Sequence, residues 1–127
     1  VGISKALEWC YSGKVFRSEE ALEAGLLRSI HEPEDLIPEA RKLAHEMVDA
    51  SSSISVTLTR HMMWKMLGAS DPIEAHIIDT AGINATGTSP DASEGINSFL
   101  EKRAPVFPGK VSKDLPEFFP WWDKPVF

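Results

Sequence analysis

The chain has 127 residues, a net charge of −6, and 43% hydrophobic and 25% charged residues, proportions that suit one globular domain or part of a larger one and exclude a disordered chain. The acidic balance argues against a duplex-DNA or RNA binder, whose contact face is ordinarily basic, and no apolar run approaches the ~20 residues of a membrane span. Neither nucleic acid nor membrane is therefore an expected partner, and the single cysteine, Cys10, forbids an internal disulfide and points to a reducing compartment, the cytoplasm.

The chain opens with VGISKALEWC, already in helical rhythm, without an initiating Met and without a signal-peptide pattern. That start reads as a cut inside a longer protein. Gly2 to Ser12 places Ile3, Ala6, Leu7 and Cys10 on one stripe, with Cys10 expected as a small buried hydrophobe and Gly13 as the stop. Ser18 is the expected cap of a short helix through Ala24, ended by Gly25 and flanked by short extended pieces at Val15–Phe16 and Leu27–Ile30.

Asp35 to Ala50 is the clearest amphipathic segment, with Leu36, Ile37, Ala40, Leu43, Ala44, Met47 and Val48 on one face. Pro38 falls in its first turn, where a missing N–H costs little. After the SSSIS break, a helix from about Ile54 to Leu67 sets Ile54, Leu58, Met62 and Met66 four apart, a spacing that suits a core. Asp71-Pro72-Ile73-Glu74 predicts a capping box with proline at the first helical position, and the helix it starts decays into GINATGTS. Ser89-Pro90 starts the last long helix, whose Ala92, Ile96, Phe99 and Leu100 are expected to face inward. Beyond Pro105 come four prolines and six aromatic rings, which must lie on something or move freely. The chain is all-α, with at most one or two very short strands. Its apolar stripes exceed what one small bundle needs.

Candidate chemistry is sparse. His31, His45, His61 and His76 have no metal-ligand spacing, and His45-Glu46 lacks the second histidine of an HExxH helix. No GxSxG elbow and no phosphate-cradling glycine loop occurs. No catalytic residue and no metal site is expected in these residues. The helix end FLEKRAPVFPGK, at Phe99 to Lys110, is the one suggestive feature. Phe99 and Lys102 are three apart and so adjacent on the helix surface. A flat ring beside an ammonium suits a nucleotide, with the ring on the base and the cation on phosphate. The same cations complement the helix dipole with no ligand at all. Spacing leaves both readings open.

Three ordered blocks carry a resemblance. VGISKALEWCYSGKVFRSEEALEAGLL resembles a stretch of the enoyl-CoA hydratase/isomerase (crotonase) superfamily through Gly2, Ala6, Gly13, Phe16, Glu20, Ala21, Gly25 and Leu26. EDLIPEARKLAHEMVDASSSISVTLTRHMM resembles the family's long helix and the segment after it, with Thr59-Arg60 at the usual T-K or T-R pair, and SPDASEGINSFLEKRAPVFPGK resembles its closing S.d..EG...FleKR.P.F.G. The resemblance implies that residues 1–110 are the C-terminal helical region, a lid and trimerisation domain, without the upstream ββα spiral core. That core holds the oxyanion N–H pair and the catalytic glutamates. It implies a coenzyme A thioester as substrate with no separate cofactor, and a homo-oligomer, trimer or hexamer. Phe99 and Lys102 match positions that reach the adenine end of coenzyme A, while Asp91, Glu94 and Gly95 shape the helix. Residues 111–127 run past the family's usual end as an extended tail that can wrap a neighbour. A non-catalytic assembly module is the competing expectation.

Overall fold

The structure, a computed structural model, describes residues 1–123. Among them are six helices, α1 (Ile3–Ser12), α2 (Ser18–Glu23), α3 (Pro33–Val48), α4 (Ser53–Met66), α5 (Pro72–Gly87) and α6 (Pro90–Glu101), and no strand. The all-α expectation is met. Val15–Phe16 and Leu27–Ile30 carry no sheet pairing, because no second strand is there to supply the ladder partners that an isolated extended piece needs. The chain divides within α3 into two compact units, residues 1–44 and 45–127.

In the first unit Gly13 ends α1 in the left-handed conformation (φ 59°), donating its N–H to Trp9 O, as the sequence predicts. Ser18 does not cap α2. Arg17 holds the extended N-cap position and Ser18 is already helical, so Glu19 and Glu20 in the first turn supply the favourable negative charge instead. Glu20 also joins the two helices. Its carboxylate accepts from Trp9 Nε1 at 2.8 Å and pairs with Lys5 at 3.2 Å, while the Trp9 ring stacks on Phe16 with centroids 4.0 Å apart. The Trp9 bond, then Lys5, holds the Glu20 carboxyl below its usual value. Ala21 is buried at the base of this contact, and its carbonyl accepts from Leu26 N at 2.8 Å to close the turn. Cys10 is exposed, contrary to the expectation of burial: the α1 stripe, with Ile3 and Leu7 also exposed, has no partner within the unit.

The second unit packs α4 against α5 and α5 against α6. Ile54 and Leu58 are its buried apolar residues, and Met62 and Met66 on the same stripe are half-buried, so the four-residue spacing does mark the core face. Asp71 caps α5 by accepting from Ile73 N at 2.9 Å. The reciprocal arm of the expected capping box reaches one residue further back, with Glu74 accepting from Ser70 N and Ser70 Oγ. The helix also does not decay at GINATGTS but continues to Gly87. No proline interrupts that stretch, and the Thr86 hydroxyl is satisfied within the helix, on Gly82 O at 2.8 Å.

The aromatic tail lies on α4. Phe119 and Trp122 sit 5.2 Å from the His61 ring, and Lys65 Nζ lies 4.5 Å over Trp122. Trp121 closes a crevice of about 140 Å³ lined by Leu58, Met62, Ile78 and Ile83. Of the tail expected over 111–127, residues 124–127 lie outside the described part.

Candidate functional site

The end of α6 is assembled from a serine cap, two carboxylates and a returning strap. Ser89 accepts from Ala92 N and Pro90 occupies the first helical position, which fixes where the helix begins. Asp91 and Glu94 are three apart and so share a face. Each then binds a backbone amide of the strap formed by residues 105–110. Asp91, only 6% exposed, accepts from Gly109 N at 2.8 Å and from Ser52 Oγ at 2.5 Å. Ser52 is at the same time the N-cap of α4, and Ser53 Oγ donates to Gly109 O at 3.0 Å. One buried carboxylate thus ties the starts of α4 and α6 to the strap. Glycine at 109 allows this close approach, since a Cβ would stand 2.6 Å from Asp91 Oδ2 and force the strap or the carboxylate to shift.

Glu94 does the corresponding job one turn on. It accepts from Arg103 Nη1 at 2.6 Å and Nη2 at 2.8 Å, a two-pronged pair, and from Val106 N at 2.6 Å. Arg103 Nε goes to Glu101 at 2.6 Å and Nη1 also reaches Ala104 O at 3.2 Å, so four of the five guanidinium N–H groups are engaged. The Arg103 bonds, then the Val106 amide, pull the Glu94 carboxyl down to about 2 from an ordinary 4.5. A depressed folded value means that this contribution to stability is full above about pH 4.5 and fades as the pH falls towards about 2. Wild type is therefore expected to melt above Glu94→Gln near neutral pH. The two melting curves, followed by circular dichroism, should converge at about pH 2. A gap that stays constant to that pH contradicts the assignment.

The opposite face of α6 is open. Phe99 is 82% exposed, Leu100 70% and Ile96 62%. The expectation that these residues face inward is corrected: the inward face is Asp91 and Ser98, with Ala92 half-buried, because the strap is held by polar contacts along that side. A Cβ at Gly95 would stand at ordinary contact distance, 3.7 Å, from the Phe107 ring on the strap side. Lys102 is the C-cap in the left-handed conformation (φ 55°), its N–H on Phe99 O, with Arg103 N on Ser98 O at 3.0 Å closing the turn. Among the described residues no carboxylate lies within 4.0 Å of the Lys102 ammonium. Phe99 and Lys102 are both exposed, the ring on the last turn of α6 and the lysine on its left-handed cap.

A further surface lies near the start of α6. An open groove of about 880 Å³ between α4 and the α5–α6 junction is lined by Val56, Arg60, Met63, Trp64, Leu67 and Phe107. Among the described residues no group of His, Cys, Asp and Glu side chains could hold a metal, and no helix is long and apolar enough to cross a membrane. Sequence reasoning missed the Glu94–Arg103 fork and the Asp91–Ser52 bond. The first is nine residues apart across a helix end and the second 39. Only the carboxylates' shared face, followed by a proline-rich return, hinted at either.

The enoyl-CoA hydratase/isomerase family profile matches residues 1–110. The chain belongs to that family. It is 31% identical over 108 residues to the enoyl-CoA hydratase ACTT3 of Alternaria alternata, covering 84% of this chain and 36% of that one. It is 32% identical over 109 residues to the putative enoyl-CoA hydratase/isomerase YngF of Bacillus subtilis, covering 86% and 41%. A crystal structure of a probable enoyl-CoA hydratase/isomerase from Mycobacterium abscessus superposes with a TM-score of 0.77 at 26% identity, covering 87% of this chain and 43% of that one. The chain therefore spans well under half the length of these relatives.

Proposed function

We propose that these residues are the C-terminal helical region of an enzyme acting on acyl-CoA thioesters, in which they cover the active site, join subunits into a trimer or hexamer, and place Phe99 and Lys102 against coenzyme A. The observation that carries this reading is the open end of α6, where an 82% exposed ring is followed three residues on by a capping lysine whose ammonium has no carboxylate partner among the described residues. Coenzyme A offers the matching chemistry, an adenine for the ring and phosphates for the cation. The thioester is the substrate and no separate cofactor takes part.

On this reading the oxyanion donors and proton-transferring carboxylates lie outside residues 1–127, and these residues alone have no activity. Shares of 36–43% of the relatives' lengths support it. So do the exposed apolar residues Ile96, Leu100, Met63 and Leu67, which suit an interface with further protein. Those same faces favour an assembly role even if α6 binds no ligand. Calorimetric titration of the intact enzyme with a medium-chain acyl-CoA tests the reading. Saturable binding is expected, together with no hydration of crotonyl-CoA by the 127-residue chain alone. An intact enzyme that shows no heat of binding with any acyl-CoA sinks it.

A further inference from the structure

We propose that Glu94 is a positioning residue for nucleotide binding, fixing the Lys102 turn through Arg103 and Val106 and leaving Lys102 as the cation open to phosphate. The inference rests on the acyl-CoA reading above and goes beyond it by naming the device that aims the contact.

Lys102 is the only residue other than glycine with a positive φ among those described, at 55°. A side chain in that region is disfavoured and persists only where its surroundings hold it. Glycine is the usual occupant of this position after a helix. Here the turn is held from both sides. Lys102 N and Arg103 N bond back to the carbonyls of Phe99 and Ser98, and beyond the turn Arg103 and Val106 are both anchored on Glu94. Glu94, with its side chain 17% exposed, is the point where the Arg103 and Val106 bonds converge. The two adjacent cations consequently have different jobs. Arg103 has its guanidinium committed to Glu94, Glu101 and the Ala104 carbonyl. Lys102 has no such commitment among the described residues, and it stands exposed on the cap that follows the exposed Phe99.

The test uses the intact enzyme and two substrates, an acyl-CoA and the matching acyl-pantetheine thioester, which lacks the nucleotide. Glu94→Gln keeps the side-chain shape but loses the charge and one prong of the fork. It is expected to raise KM for the acyl-CoA about fivefold with kcat within about twofold, a change in binding alone. Both constants for the acyl-pantetheine should stay as in wild type. Arg103→Lys keeps the cation but not the fork, gives the same pattern, and replaces Glu94→Gln if that variant does not fold. Equal losses on both thioesters overturn the proposal, since a purely structural role acts on either substrate. An unchanged acyl-CoA KM in both variants, while Phe99→Ala raises it, overturns the proposal and leaves the acyl-CoA reading standing. If Phe99→Ala also leaves KM unchanged, both fall.

Discussion

Asp91→Ala is expected to lower the stability of the chain by about 3 kcal/mol, on the order of 10 °C in Tm. The carboxylate is 6% exposed and accepts from Gly109 N and Ser52 Oγ. Hydrogen bonds to a charged acceptor contribute about 1.5–3 kcal/mol each, and truncation leaves two donors without their partner. The charge also sits in the first turn of α6, where it favours the helix dipole. Gly109→Ala attacks the same joint from the other side. Its Cβ would stand 2.6 and 2.9 Å from the two carboxylate oxygens, so either the strap or Asp91 must move and lose its bonds. The two variants are therefore expected to be similarly destabilised, and the double variant little worse than either, because they remove one shared interaction. Thermal melts followed by circular dichroism decide this. A loss under about 0.5 kcal/mol for Asp91→Ala, the range of ordinary surface substitutions, contradicts the clamp.

That joint shows how unevenly the sequence reveals this molecule. Helix starts were legible where chemistry is local: Ser89-Pro90 and Asp71-Pro72 each combine a side-chain acceptor with a proline whose missing N–H costs nothing. Gly13 was legible as a stop for the same reason, since the left-handed cap favours glycine. Periodicity found the core stripe of α4 but misplaced that of α6. An apolar stripe says that a face will be covered, not by what, and Ile96, Phe99 and Leu100 face away from the unit they belong to. The same reason undid the expected burial of Cys10 on α1. The pair Phe99 and Lys102 was visible as a spacing, whereas its support was not. The Glu94–Arg103 fork forms only after the chain has turned at Lys102, and no pattern of period 3.6 reaches across such a turn.

The larger functional effect belongs to that pair. Stacking of a base on an aromatic ring is worth about 1–3 kcal/mol on alanine substitution, and an exposed ion pair about 0.2–1 kcal/mol. At 1.4 kcal/mol per tenfold, Phe99→Ala is expected to raise KM for an acyl-CoA about tenfold and Lys102→Ala about threefold. Both are binding losses that leave kcat nearly unchanged, because the reacting thioester lies at the far end of the substrate from the nucleotide. The Lys102 effect should shrink as salt is added, and the Phe99 effect should not. Neither substitution removes a buried contact, since both side chains are exposed, so folding is expected to be unaffected.

The decisive measurement is the acyl-CoA KM of the intact enzyme carrying Phe99→Ala and Lys102→Ala together. A rise of about thirtyfold with an unaltered melting temperature is the result expected if this helix end receives the nucleotide. A KM equal to that of wild type would show that the nucleotide binds elsewhere and that the open end of α6 serves only assembly.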